Sequence, residues 1–263
     1  MLSQQLDFKI YPSLLDAFQT YLDSEKNWET FYDRGENPKI TLDEFNEKAY
    51  KELIDKINRV PFKSDAADKG TAFNEIVDCI IENRKSSKFN IYTVVDKRCL
   101  PTVIRCETDD ENKDKYFDFP IPLCKEFGAY YKGALTQQRV EAILPTRYGN
   151  VSLYGIIDEL MPMSVHDIKT TSHYSSFKFR NHWQHFVYPY CLIKSGNDIH
   201  TFEYNITDFR NTYTETYVFD ENRDIPILTD HVERFIEFLL SNKDKISDKK
   251  VFGGENDEQS DNR

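Results

Sequence analysis

The chain contains no run of eighteen or more apolar residues and no basic-then-apolar amino terminus. It therefore offers neither a membrane span nor a secretory signal, and a soluble, cytoplasmic protein is expected. Cysteine is sparse: Cys79, Cys99, Cys106, Cys124 and Cys191 are odd in number, and no two stand at C-x-x-C spacing. That pattern suggests neither a disulfide framework nor a zinc ribbon, and most of these thiols are expected to be buried as small hydrophobes. Positive charge is also short, with a net charge of −11, which argues against non-specific coating of nucleic acid or of an acidic membrane. Any phosphate ligand must be met locally.

One segment runs against the global balance. Between His166 and Lys194 the basic residues are Lys169, Lys178, Arg180 and Lys194, the only acidic one is Asp167, and four of the six histidines (His166, His173, His182, His185) fall there. It is the one surface suited to a polyanion, although a basic patch on an acidic protein is more often a solvated face. At 263 residues, with no composition shift that demands a boundary, the chain reads as a single domain over 1–252 with its core about 69–220. The tail 253–263, GGENDEQSDNR, has no apolar residue and is expected to be disordered.

The spacing of apolar residues predicts a helix from Pro12, then an aromatic and polar loop. Thr41 and Glu44 form a capping box before Leu42, Phe45, Ala49, Leu53, Ile54 and Ile57, a helix that ends by Pro61. A second stripe, Phe73, Ile76, Val77, Ile80 and Ile81, places a helix over 69–82 with Asn74, Glu75, Asp78 and Glu82 on its other side. Glu75 then either complements the dipole of a first turn or supplies an oxygen ligand to a metal. Strands are expected within 91–119, on either side of an acidic turn at 109–114, and again over 135–146, 199–206 and 212–219. Helices are expected over 122–131 and 181–194, where Pro189 should kink or break the chain, and around Ile227–Leu240.

The centre of the chain is VSLYGIIDELMPMSVHDIKTTSHYSSFKFRNHWQHFVYPY, residues 151–190. Two apolar runs each end on a carboxylate, Asp158 and Asp167, on either side of Met161–Ser164, where Pro162 requires a turn. Alternation along 165–169 puts Asp167 and Lys169 on one face of a strand. A hairpin symmetric about Pro162 and Met163 sets Asp158 opposite Asp167, with Cβ atoms about 4.5 to 5.5 Å apart. Two carboxylates so placed repel unless a positive group lies between them, and oxygen-only ligation suits a hard divalent ion such as Mg2+ or Mn2+. Gln184 and Tyr188, four apart, share a helix face, either as a surface pair or as part of the site.

In order, these motifs are a helix with Gly-Thr-x-x-Asn-Glu, a strand, Gly-x-x-Asp, a strand with Asp-x-Lys-Thr-Thr, and a helix with Gln-x-x-x-Tyr. Over residues 69–190 the arrangement resembles the PD-(D/E)XK nuclease superfamily, in its RecB-like and lambda-exonuclease-like branch. The resemblance implies an α/β fold: a central mixed sheet flanked by helices, restriction-endonuclease-like, with helices added at both ends. It implies a Mg2+- or Mn2+-dependent deoxyribonuclease, most simply an exonuclease of recombination, repair or phage DNA processing in a bacterial cell or phage-infected host. DNA is the implied partner, with a recombination or helicase protein as a possible second, and no membrane.

By the same resemblance Asp158, Asp167, the carbonyl of Ile168 and Glu75 look like the metal ligands. Lys169 looks like the group that orients water and offsets phosphate charge, while Gln184, Tyr188, Asn74 and Thr170 support the site and substrate. Asn74 stands where such relatives commonly carry histidine, and an amide oxygen is a weaker, neutral ligand. Two rivals remain: a decayed PD-(D/E)XK-fold DNA-binding or assembly protein, and a hydrolase using Cys191 with a nearby histidine, although nothing around Cys191 suggests an activated thiol.

Overall fold

Residues 7–33, 39–108 and 115–253 are described by the structure, a computed structural model. The elements in order are β1 (Phe8–Ile10), α1 (Pro12–Leu22), α2 (Ser24–Phe31), α3 (Leu42–Ile57), α4 (Asp65–Glu82), β2 (Phe89–Val95), β3 (Pro101–Thr108), β4 (Tyr116–Pro120) and α5 (Ile121–Tyr130). The second half holds β5 (Leu135–Thr146), β6 (Gly149–Met161), β7 (Ser164–Thr170), α6 (Gln184–Lys194), β8 (Thr201–Thr207), β9 (Thr212–Val218) and α7 (Glu221–Ser241). Two short 3-10 turns follow, at Lys243–Lys245 and Lys249–Phe252.

The architecture is α/β, with a mixed six-stranded sheet flanked by helices and a separate antiparallel sheet β2-β3-β4. β6 is its axis. One edge of β6 pairs antiparallel with β5 over nearly the full length, from Thr146↔Gly149 to Leu135↔Leu160. The other edge takes β1 in parallel at Val151–Leu153 and β7 antiparallel at Glu159–Met161, leaving 154–158 between the two ladders. β7 continues in parallel with β8, and β8 pairs antiparallel with β9.

Alternation along β7 sends Val165 into one core and Ile168 into the other. The larger core gathers α1, α6 and α7 on the sheet through Phe18, Val187, Phe202, Val232 and Phe235. The smaller joins α4 and α5 to the three-stranded sheet through Phe73, Val77, Phe119 and Phe127. Gly128 permits α4 and α5 to meet closely, since a Cβ there would lie 2.3 Å from Ile80 Cγ2.

Several boundaries differ from the sequence expectation. The loop after α1 contains α2, whose SEKNWETF sequence is too polar to show an apolar stripe, and β1 has only three residues. α3 carries the expected capping box but stops at Ile57, before Pro61. α4 starts at Asp65 behind the N-cap Ser64, a turn earlier than its apolar stripe suggests. α6 passes through Pro189 without interruption; seven of its eleven residues are buried, and that packing outweighs the lost backbone bond. The acidic turn at 109–114 lies outside the described residues, as does the tail beyond Gly253. Among the described residues no helix is long and apolar enough to cross a membrane.

Candidate active site

The site forms where β6 and β7 part. Their pairing ends at Glu159↔His166, so the next opposed positions, Asp158 and Asp167, fall at the mouth of the opening. There the N–H of Ile168 donates to Asp158 Oδ2 at 3.1 Å, so a side chain stands in for the missing strand carbonyl. The same oxygen accepts Nδ2 of Asn74 from α4 at 3.2 Å.

Asp167, buried, is held from the other side. Its Oδ1 accepts Nε2 of Gln184 at 2.5 Å, and Lys169 Nζ lies 2.7 Å from its Oδ2. Lys169 Nζ also donates to Gln184 Oε1 at 2.7 Å. A closed triangle results: the Gln184 amide gives its N–H to the carboxylate and its oxygen to the ammonium, so each group fixes the other two. One turn along α6, Tyr188 is buried and its hydroxyl donates to the Ile156 carbonyl at 2.9 Å. Gly155 makes room for that ring, since a Cβ there would lie 2.5 Å from Tyr188 Cε1. Gln184 and Tyr188 are thus not a surface pair. Thr170 closes the floor against α4, its Oγ1 3.0 Å from where a Cβ on Gly70 would sit.

Burial and the neighbouring Asp167 charge push the Asp158 carboxyl up to about 8. Burial works to discharge Lys169, yet its ion pair and hydrogen bond with Asp167 prevail and hold its pKa above the ordinary value. The site therefore keeps a fixed ammonium beside Asp158, a carboxyl that resists ionisation.

Glu75 does not sit in a first turn, because α4 begins ten residues earlier, and the dipole reading fails for that reason. It is buried, with Oε1 accepting Arg84 Nη1 at 2.6 Å and Lys88 Nζ 4.0 Å from Oε2. Burial alone would raise its pKa; the hydrogen bond from Arg84 outweighs this and lowers it. The α4 carboxylate whose charge reaches Asp158 is instead Asp78, also buried. Its Oδ2 accepts Gln137 Nε2 at 3.1 Å, from a β5 residue held at φ 50°. Burial and the charge of Glu75 push Asp78 up to about 6. Beside it lies Glu159, fully buried, with neither carboxyl oxygen hydrogen-bonded. Sequence reading missed Asp78 and Glu159, although the four-residue step from Asn74 to Asp78 marks one helix face.

The basic segment does not survive as a patch. His166 and His185 are buried, His185 stacked 4.2 Å from Tyr217, and Lys169 belongs to the triangle. Lys178 and Arg180 remain exposed. Cys106, Cys124 and Cys191 are buried, and all five thiols are free. Burial raises the Cys191 thiol to about 12, which disfavours a nucleophile there.

The donor set suits a hard cation. Asp158 and Asp167 are oxygen donors, and Asn74 Oδ1 is buried without a hydrogen-bond partner beside Asp158. Among the described residues no three His, Cys, Asp or Glu side chains gather in metal-ligand geometry, so an ion would complete its shell from that amide, the Ile168 carbonyl and water.

No protein-family model and no curated protein matches the chain. Among solved structures, the crystal structure of SSO0001 is similar at a TM-score of 0.33 and 15% identity, over 46% of this chain. The match spans 58% of that protein's chain.

Proposed function

We propose that the chain is a PD-(D/E)XK-fold nuclease of the RecB-like and lambda-exonuclease-like branch, hydrolysing DNA phosphodiester bonds with Mg2+ or Mn2+. The observation that carries this reading is the interlock of Asp167, Lys169 and Gln184 at the point where β6 and β7 part around Asp158. The motifs fall in chain order on α4, β6, β7 and α6, the elements that meet at the opening, and this supports a restriction-endonuclease-like core.

Asp158 and Asp167, with the Asn74 amide and the Ile168 carbonyl, would hold the cation. A divalent ion supplies positive charge beside the scissile phosphate and lowers the pKa of water. Lys169, held by Asp167 and Gln184, adds a fixed positive charge against the negative charge that develops on the phosphate as water attacks phosphorus and the bond to the leaving oxygen breaks. Tyr188 and Gly155 fix the β6 backbone that carries Asp158. Acting from linear ends, such an enzyme would serve recombination, repair or phage DNA processing in the cytoplasm, beside a recombination or helicase protein.

Purified protein with Mg2+ or Mn2+ should degrade linear DNA and spare closed circles, and Asp167→Ala should abolish the activity while leaving the circular dichroism spectrum unchanged. Equal activity in the variant removes the assignment. One observation favours a second reading, a DNA-binding protein whose site has decayed: among the described residues no third acidic, histidine or cysteine side chain joins Asp158 and Asp167, and the neutral amide of Asn74 stands beside them. Calorimetry with Mn2+ separates the two, since a decayed site takes up no ion.

A further inference from the structure

The connection 171–183 leaves β7 two residues after Lys169 and re-enters the site at Gln184, so site elements fix both of its ends. It is well anchored between them. Thr171 N–H donates to the Thr207 carbonyl at 3.0 Å, and Tyr174 stacks on Tyr213 with centroids 4.3 Å apart. Phe179 is buried, its N–H donating to Glu215 Oε2 at 3.2 Å.

Against that anchoring, Phe177 is 66% exposed and holds φ at 60°. A bulky side chain in the left-handed region costs free energy that Gly or Asn would not, and the ring gains little burial in return. Exposed cations lie close to it in sequence and on the adjoining turn. Lys178 and Arg180 follow it, and Arg210 projects from the adjoining 208–211 turn, which Thr207 ties to Thr171. Among the described residues Lys178 Nζ bonds neutral oxygens, Thr171 Oγ1 at 2.5 Å and the His173 carbonyl at 2.8 Å, and no carboxylate pairs with it. The nearby Asp208 carboxylate is occupied by the backbone N–H groups of Arg210 and Asn211.

We propose that Phe177 is a stacking platform for an unpaired base of the DNA strand entering the Asp158 and Asp167 site, with Lys178 and Arg180 meeting its phosphates. This rests on the nuclease reading and narrows its substrate to a strand with unstacked bases, single-stranded or frayed at its end. A solvent-facing ring gains only from a base whose face is free, and inside an intact duplex those faces are covered.

The test is fluorescence anisotropy of a labelled single-stranded oligonucleotide and of a closed hairpin duplex, with Ca2+ in place of Mg2+, on the full chain and two variants. Phe177→Asn removes the ring and suits the left-handed backbone; Phe177→Trp keeps a stacking face. Phe177→Asn should weaken single-strand binding about ten-fold or more, change duplex binding less than about two-fold, and leave the thermal midpoint unchanged or raised. Phe177→Trp should bind as the wild type. A merely structural ring would move stability and not binding. Unchanged single-strand affinity in Phe177→Asn overturns the platform while cleavage by the same variant keeps the nuclease reading. Normal stacking behaviour in a wild-type chain that never cleaves overturns the nuclease reading alone, and absence of any DNA binding overturns both.

Discussion

Replacing Glu159 by glutamine should stabilise the protein, and by more as the pH rises. The residue is fully buried opposite His166 and Thr136, no donor reaches either of its oxygens among the described residues, and the polar group beside it is the carboxyl of Asp78. Burial first, and then the charges of Asp158, Asp78 and Asp167, push its carboxyl from 4.5 up to about 10. The unfolded chain releases this proton above 4.5 and the folded chain only near 10, so stability is lost as pH climbs through that window. At 1.36 kcal/mol per pH unit above 4.5, the loss is about 2 kcal/mol at pH 6, about 3 at pH 7 and about 5 at pH 8. These are upper values, because relaxation and water entry lower the cost of burying charge. Urea unfolding of Glu159→Gln and wild type at those three pH values, with chelator present, reads the difference directly. A difference that stays flat with pH, or a variant less stable at pH 8, would refute the burial argument.

Two further outcomes follow from packing and from a buried imidazole. Gly155→Ala should lower stability by about 1–3 kcal/mol, because its methyl would meet the Tyr188 ring at 2.5 Å; an unchanged urea midpoint would mean that the ring is not wedged there. His231 stacks on Trp183 at 3.8 Å, and burial lowers its pKa from 6.5 to about 4. The unfolded chain takes that proton first, so this contribution is whole above pH 6.5 and falls by up to about 3 kcal/mol as pH drops through 4. His231→Gln should unfold with a shallower acid slope than wild type, and identical slopes would contradict the assignment.

Local rules made much of this legible in advance. The Thr41 and Glu44 capping box, the alternation over Leu135–Thr146 and the turn at Pro162 and Met163 each depend on neighbours in sequence, and all three stand in the structure. The register that brings Asp158 to Asp167 follows from that turn. Less legible was everything decided by distant groups. Glu75 and Asp78 lie off the apolar stripe of α4, yet Arg84 and Gln137 make their burial tolerable, while Ile80 on the stripe stays 38% exposed. The triangle of Asp167, Lys169 and Gln184 joins residues fifteen and seventeen apart, so motif spacing could suggest it but not its bonds. α2 and β1 went unseen because one offers just Trp28 and Phe31 among polar residues and the other takes its pairing from β6.

Soaking crystals of the chain with Mn2+ and collecting anomalous diffraction tests the account most directly. We expect a single strong peak in contact with both Asp158 and Asp167 and near the Asn74 amide oxygen, lost in Asp158→Asn. A flat map at that position, with Lys169 alone neutralising the acids, would contradict the cation site and the hydrolysis built on it.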